Sequence, residues 1–176
     1  MMKILSKSFK DHLLKNTDQE FVNKLIPHLE GVNIINASLS NGIIGIAKPE
    51  LIYLNLETAM RINGKYGLAF VILHELAHYK RIKKKGKEWY LNYVLRSDEE
   101  TYIKHTILEE RIADKWGLDM VKKIYGITVC NPRNPLISSK EFYRKTSAMY
   151  KGIRSCVKTE DDWNNMLNSY VLNVRQ

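Results

Sequence analysis

Apolar and polar positions along this chain alternate between two periods, and the switches mark out its elements. Within Asp18 to Glu30 the apolar residues Phe21, Val22, Leu25, Ile26 and Leu29 recur at helical spacing, and Thr17 followed by Glu20 forms a capping box. An amphipathic helix is predicted there. The runs Val32 to Ala37 and Gly42 to Ala47 are rich in β-formers and flank a Ser40-Asn41-Gly42 turn signal, which predicts a hairpin. Leu51-Ile52-Tyr53-Leu54-Asn55, following Pro49, predicts a third strand. From Tyr66 to about Lys84 the pattern is helical, apolar in its first half and densely basic in its second. Ser97 with Glu100 opens a long helix that should stop at Gly126, and a basic, aromatic-bearing connection, Lys85 to Arg96, joins the two. Beyond Pro132 and Pro135, Ser138 with Glu141 and Thr159 with Asp162 open two more helices. The pattern predicts an α+β fold: a small sheet of three or more strands packed on two central helices, with further helices at both ends.

Length and composition narrow this picture. With 176 residues, of which 44% are apolar, the chain is expected to form one domain across residues 1–176. Lys7 and Lys10 interrupt the N-terminal apolar run before a secretory core can form, so no cleaved leader is expected. Leu68 to Leu73, the longest apolar stretch, falls far below the roughly 20 residues that span a bilayer, and no membrane partner is expected. Cys130 and Cys156 show no CxxC spacing, which points away from a disulfide framework or a thiolate metal site and towards a cytoplasmic location. The pattern is silent on oligomeric state.

Chemistry concentrates in His74-Glu75-Leu76-Ala77-His78. On a helix, histidines at i and i+4 lie one turn apart on one side, so both imidazoles can reach one metal ion while the intervening Glu75 stands beside an open coordination position. Zinc suits such nitrogen ligands, and the carboxylate of Glu75 is placed to take a proton from a bound water. A catalytic zinc needs a third protein ligand. The glycine and histidine that a metzincin carries at the third and sixth positions after the motif are replaced by Arg81 and Lys84, which excludes that class.

Glutamate on a second helix is the remaining standard solution, and the helix from Ser97 offers Glu109 and Glu110. Glu110 shares its stripe with Ile103, Ile107, Ala113, Asp114 and Gly117, whereas Glu109 shares one with Tyr102, His105, Ile112 and Trp116. Ala113 and Gly117 are small enough to let two helices approach closely, which favours Glu110. Asp114 reads either as an ordinary helix acid or as the acceptor that fixes the tautomer of a metal-bound histidine.

The pair HExxH and Glu110-Arg111-Ile112-Ala113-Asp114 resembles the gluzincin zinc metallopeptidases, in particular the compact minigluzincins, over roughly Ile43 to Val121. The size and strand-helix order are also similar to ImmA/IrrE-type regulatory peptidases, which usually carry asparagine where Asp114 stands. The resemblance implies a zincin-like fold, one Zn2+ per chain held by His74, His78 and Glu110, Glu75 as general base, and Asp114 supporting a zinc histidine. It further implies an edge strand, Leu51, Ile52, Tyr53, Leu54 and Asn55, that binds an extended peptide or protein substrate. An endopeptidase fits better than an exopeptidase.

Two rival classes remain: a non-catalytic regulator on the same scaffold, and a basic module that binds nucleic acid or protein. The formal net charge of +9 and the run Lys80, Arg81, Lys83, Lys84, Lys85 and Lys87 admit nucleic acid as a partner, but basic residues in a last helical turn also complement the helix dipole, and that reading is preferred. Trp89, Tyr90 and Tyr93 are candidates for a substrate groove, though aromatics in such a connection usually pack onto the core. The helically spaced Phe142, Tyr143, Tyr150, Trp163 and Tyr170 should also pack, and one tyrosine among them could serve the reaction.

Overall fold

The computed structural model describes residues 7–40, 43–129 and 140–174. Helix α1 (Lys7–Asn16) and α2 (Gln19–Leu25), which runs into a 3-10 turn at Ile26–His28, precede strands β1 (Ile34–Leu39), β2 (Gly45–Ala47) and β3 (Ile52–Leu54). Then come α3 (Leu56–Lys85), the short α4 (Lys87–Leu91) with a π-helical segment Asn92–Arg96, α5 (Glu99–Tyr125), α6 (Lys140–Cys156), α7 (Glu160–Ser169) and β4 (Val171–Val174). The fold is α+β with a mixed four-stranded sheet in the order β2-β3-β1-β4. Among the described residues no helix is long and apolar enough to cross a membrane.

Two expectations about the sheet fail. The first two strands do not form a hairpin, because β3 lies between them: it pairs in parallel with β1, Ile34 opposite Ile52, and antiparallel with β2, Gly45 opposite Leu54. The tight connection is instead Lys48 to Leu51, where the Lys48 N–H donates to the Leu51 carbonyl at 2.9 Å. Asn41 and Gly42 of the expected turn lie outside the described residues. For the same reason Leu51 to Asn55 is not an edge strand. Ile52 and Leu54 are fully buried, and the strand that contains them is bonded on both sides, so the edge nearest the helices' functional side is β2. Two elements were not expected: α1, which contributes Phe9 and Leu13 to the core, and β4, which pairs antiparallel with β1.

The starts of α2 and α5 follow the expected chemistry with one-residue corrections. Asp18, not Thr17, caps α2 by accepting the Phe21 N–H at 2.8 Å, and Asp98, not Ser97, caps α5 by accepting the Thr101 N–H at 2.8 Å. Thr17 and Ser97 instead donate back to the carbonyls of Leu13 and Tyr93. The Thr159–Asp162 box opens α7 as expected, whereas Ser138 lies outside the described residues. Gly126 ends α5 in the left-handed conformation (φ 71) and donates to the Lys122 carbonyl. Helix α3 begins ten residues before its expected start and is broken at Gly64 (φ 64), a conformation that favours glycine.

Two apolar clusters result. The larger joins Leu13, Phe21, Leu25, Ile52 and Leu54 to Leu68, Ile72, Leu73 and Leu76 of α3 and Val121 of α5. The smaller joins Val94 and Tyr102 to Ile153, Val157, Trp163 and Leu167. Of the C-terminal aromatics expected to pack, Trp163 does so, but Tyr143 is largely exposed.

Candidate metal centre

Helices α3 and α5 run side by side, and what lets them close is visible at Gly117: a Cβ there would stand 3.2 Å from the Phe70 ring and 3.3 Å from the His74 backbone nitrogen. Ala113, on the same stripe, is fully buried. The close approach presents one carboxylate of α5 to the two histidines of α3. The Nε2 atoms of His74 and His78 are 3.0 Å apart, Glu110 Oε1 lies 3.4 Å from His78 Nε2, and Glu110 Oε2 lies 3.6 Å from His74 Nε2. Among the described residues, this is the group of histidine and acidic side chains whose donor atoms converge tightly enough to hold a metal ion.

Those separations test the donor set against zinc. Ligand atoms at about 2.0–2.1 Å from a tetrahedral centre lie about 3.3–3.4 Å from one another, and the three observed distances bracket that value. Electrostatics points the same way. Burial alone disfavours a charged His78, but Glu110, Glu75 and Glu109 outweigh it and hold its pKa above the ordinary histidine value, so the site favours a cation.

Asp114 completes the arrangement behind His74. Its Oδ1 lies 2.8 Å from His74 Nδ1, and both residues are almost fully buried, at 4% and 3% exposure. The two groups are in close contact, but neither the aspartate oxygens nor Nδ1 has a well-aligned hydrogen bond. A carboxylate buried in this state is costly unless the ring facing it carries a proton on Nδ1, and that tautomer leaves the Nε2 lone pair pointing into the centre.

No protein-family model, curated protein or solved structure matches this chain.

Glu109, the rival ligand, points elsewhere. Arg81 grips both of its oxygens, Nε at 2.5 Å and Nη2 at 2.6 Å, so its charge is already neutralised by a bidentate pair. Glu75 does not join the three converging donors; its side chain lies against the backbone of β2 at Gly45. Leu51 to Asn55 are one strand further away, since β3 reaches the site's side of the sheet only through β2.

Beside Glu75, His78 and Glu110 opens a cavity of about 310 Å³ whose walls come from both apolar clusters: Ile43, Gly45, Ile46, Ala47, Ile82, the aromatic connection, and Ile153, Trp163 and Leu167. Trp89, Tyr90 and Tyr93 both line this cavity and pack. Tyr93 stacks on Tyr102 with ring centres 5.2 Å apart, its hydroxyl pairs with Thr106 Oγ1, and Tyr90 Oη accepts from Trp163 Nε1 at 3.0 Å. Burial pushes the phenols of Tyr90 and Tyr93 well up, and that of Tyr102 up to about 12, so all three stay neutral. His105 stacks on Tyr93 and is not part of the donor group.

The basic run is largely engaged within the molecule. Lys80 lies over Trp116, Lys83 over Tyr79 and Lys85 over Trp89, while Lys87 pairs with Glu160. Sequence reasoning missed the Arg81–Glu109 pair and the place of Gly45; a glycine inside a β-rich run was the available signal for the second.

Proposed function

We propose that the chain is a zinc-dependent peptidase with a zincin-like, gluzincin-type site, in which His74, His78 and Glu110 hold the metal and Glu75 is the general base. The observation that carries this reading is the convergence of two imidazole nitrogens and one carboxylate at tetrahedral ligand spacing, with a second carboxylate beside them that is not needed as a ligand. Zinc held there would polarise a carbonyl and lower the pKa of a bound water towards about 7. Glu75, beside that position, would be the carboxylate that takes up a proton and passes it to the leaving nitrogen. Asp114 keeps His74 in the tautomer that offers Nε2. Arg81 neutralises Glu109 and so leaves Glu110 as the acidic donor facing the histidines.

For the substrate, the observed sheet order favours β2 over β3 as the strand along which an extended peptide adds, because among the described residues β2 is the edge strand next to β3, and Gly45, Ile46 and Ala47 border the cavity. The cavity's aromatic and aliphatic walls suit a large apolar side chain next to the scissile bond. A scaffold that binds without cutting has no need of Glu75 beside an open position.

A peptide-library cleavage assay on the full chain, run with Glu75→Gln alongside, tests this reading. Proton transfer by a positioned group contributes about 10²–10⁴-fold, so the variant should keep its zinc and lose activity by that factor. Equal cleavage by the two proteins contradicts the assignment of Glu75.

A further inference from the structure

Gly45 is a glycine that its backbone does not require. It sits in β2 opposite Leu54, and its φ is outside the left-handed region adopted by Gly31, Gly64, Gly86 and Gly126. A glycine in a strand gives up chain entropy and packs nothing, so its presence calls for a close approach. The approaching group is Glu75: a Cβ on residue 45 would stand 2.5 Å from Glu75 Cγ, 2.6 Å from Cδ and 2.6 Å from Oε1, and these are its three nearest atoms. Such distances are shorter than any carbon tolerates. By contrast, the space kept open at Gly117 faces the Phe70 ring and the α3 backbone, a matter of helix packing.

We propose that Gly45 is a positioning residue, whose missing side chain is the slot in which the Glu75 carboxylate is held beside the donor group. This rests on the peptidase reading for its catalytic consequence, but the slot itself is a property of the metal-free chain. Because Glu75 is the flexible partner, a methyl group at position 45 displaces the carboxylate and leaves the sheet and the three donors in place. Displacing a general base by about 1 Å is enough to cost on the order of 10²-fold in rate.

The test is a cycle of Gly45→Ala in two backgrounds. In the otherwise native chain, Gly45→Ala should keep one zinc per chain and lower kcat by about 10²-fold with KM little changed; in Glu75→Gln it should add no further loss. Thermal unfolding of the metal-free proteins gives a readout independent of activity. With Glu75→Ala, which removes all three crowded atoms, Gly45→Ala should raise Tm by about 2–4 °C, and with Glu75 present that gain should vanish. An identical Tm change in both backgrounds, or loss of zinc from Gly45→Ala, overturns the proposal and leaves the peptidase reading standing. A native chain that cuts no peptide overturns the peptidase reading, while the Tm cycle still decides whether the slot exists.

Discussion

Helices α3 and α5 meet twice, and the two meetings are built differently. Towards the start of α3, Tyr66 and Tyr125 contact edge to face at 5.5 Å, Phe21 stacks on Tyr125 at 4.9 Å, and the Tyr125 hydroxyl donates to the Phe21 carbonyl at 3.0 Å. Every feature there favours the folded state. Further along, the same two helices bury His74 Nδ1 and the Asp114 carboxylate without a well-aligned hydrogen bond and crowd two imidazoles against Glu110. Groups arranged in this way destabilise a metal-free fold. The contrast separates a region that holds the chain together from one that the remainder of the fold must tolerate, and a cation at the second region is what would make the arrangement favourable.

Substitutions in the two regions should therefore act on different measurements. The largest effect is expected at the aromatic meeting: Phe21→Ala should lower the unfolding free energy of the metal-free chain by about 3–5 kcal/mol, read from urea denaturation, with zinc affinity per folded molecule unchanged. Next, Asp114→Ala should weaken zinc binding about 10–100-fold in chelator competition, equivalent to about 1.4–2.7 kcal/mol, and leave the metal-free stability equal or higher. A large loss of metal-free stability on that substitution would erase the contrast.

Smaller effects sharpen the comparison. Glu109→Gln breaks the bidentate pair with Arg81, and because Arg81 is partly exposed, solvent screening should hold the stability loss to about 1 kcal/mol with zinc content unchanged. Least of all, neutralising Lys83, Lys84 and Lys85 together should leave cleavage of a small neutral peptide unaltered. Nucleic-acid binding that falls steeply with salt and vanishes in that triple variant would favour the rival binding module instead.

What could be read in advance follows the range over which each signal acts. The five residues from His74 to His78 are local, and helical periodicity alone places both imidazoles on one side. That Glu110 and not Glu109 faces the two histidines was also legible, because Ala113 and Gly117 mark the face on which α5 can come close. The starts of α2 and α5 were legible to within one residue, whereas that of α3 was not: Thr17 and Ser97 each precede an aspartate that is an equally good cap, and the aspartate won in both cases. Strand order was not legible. Ile52 and Leu54 alternate as any half-buried strand does, and nothing local says that β3 is inserted between β1 and β2 or that Val171–Val174 returns to β1. The edge assigned to Leu51–Asn55 failed with that order, and the slot at Gly45 was hidden for the same reason, since it depends on which strand faces Glu75.

The most direct test of the central claim is the zinc content of the full chain after gentle, chelator-free purification, measured by elemental analysis for the native protein, His74→Ala, Glu110→Gln and Glu109→Gln. One zinc per chain is expected in the native protein and in Glu109→Gln, with marked loss in His74→Ala and Glu110→Gln. A native chain without metal, or one in which Glu109→Gln loses zinc while Glu110→Gln keeps it, contradicts the account.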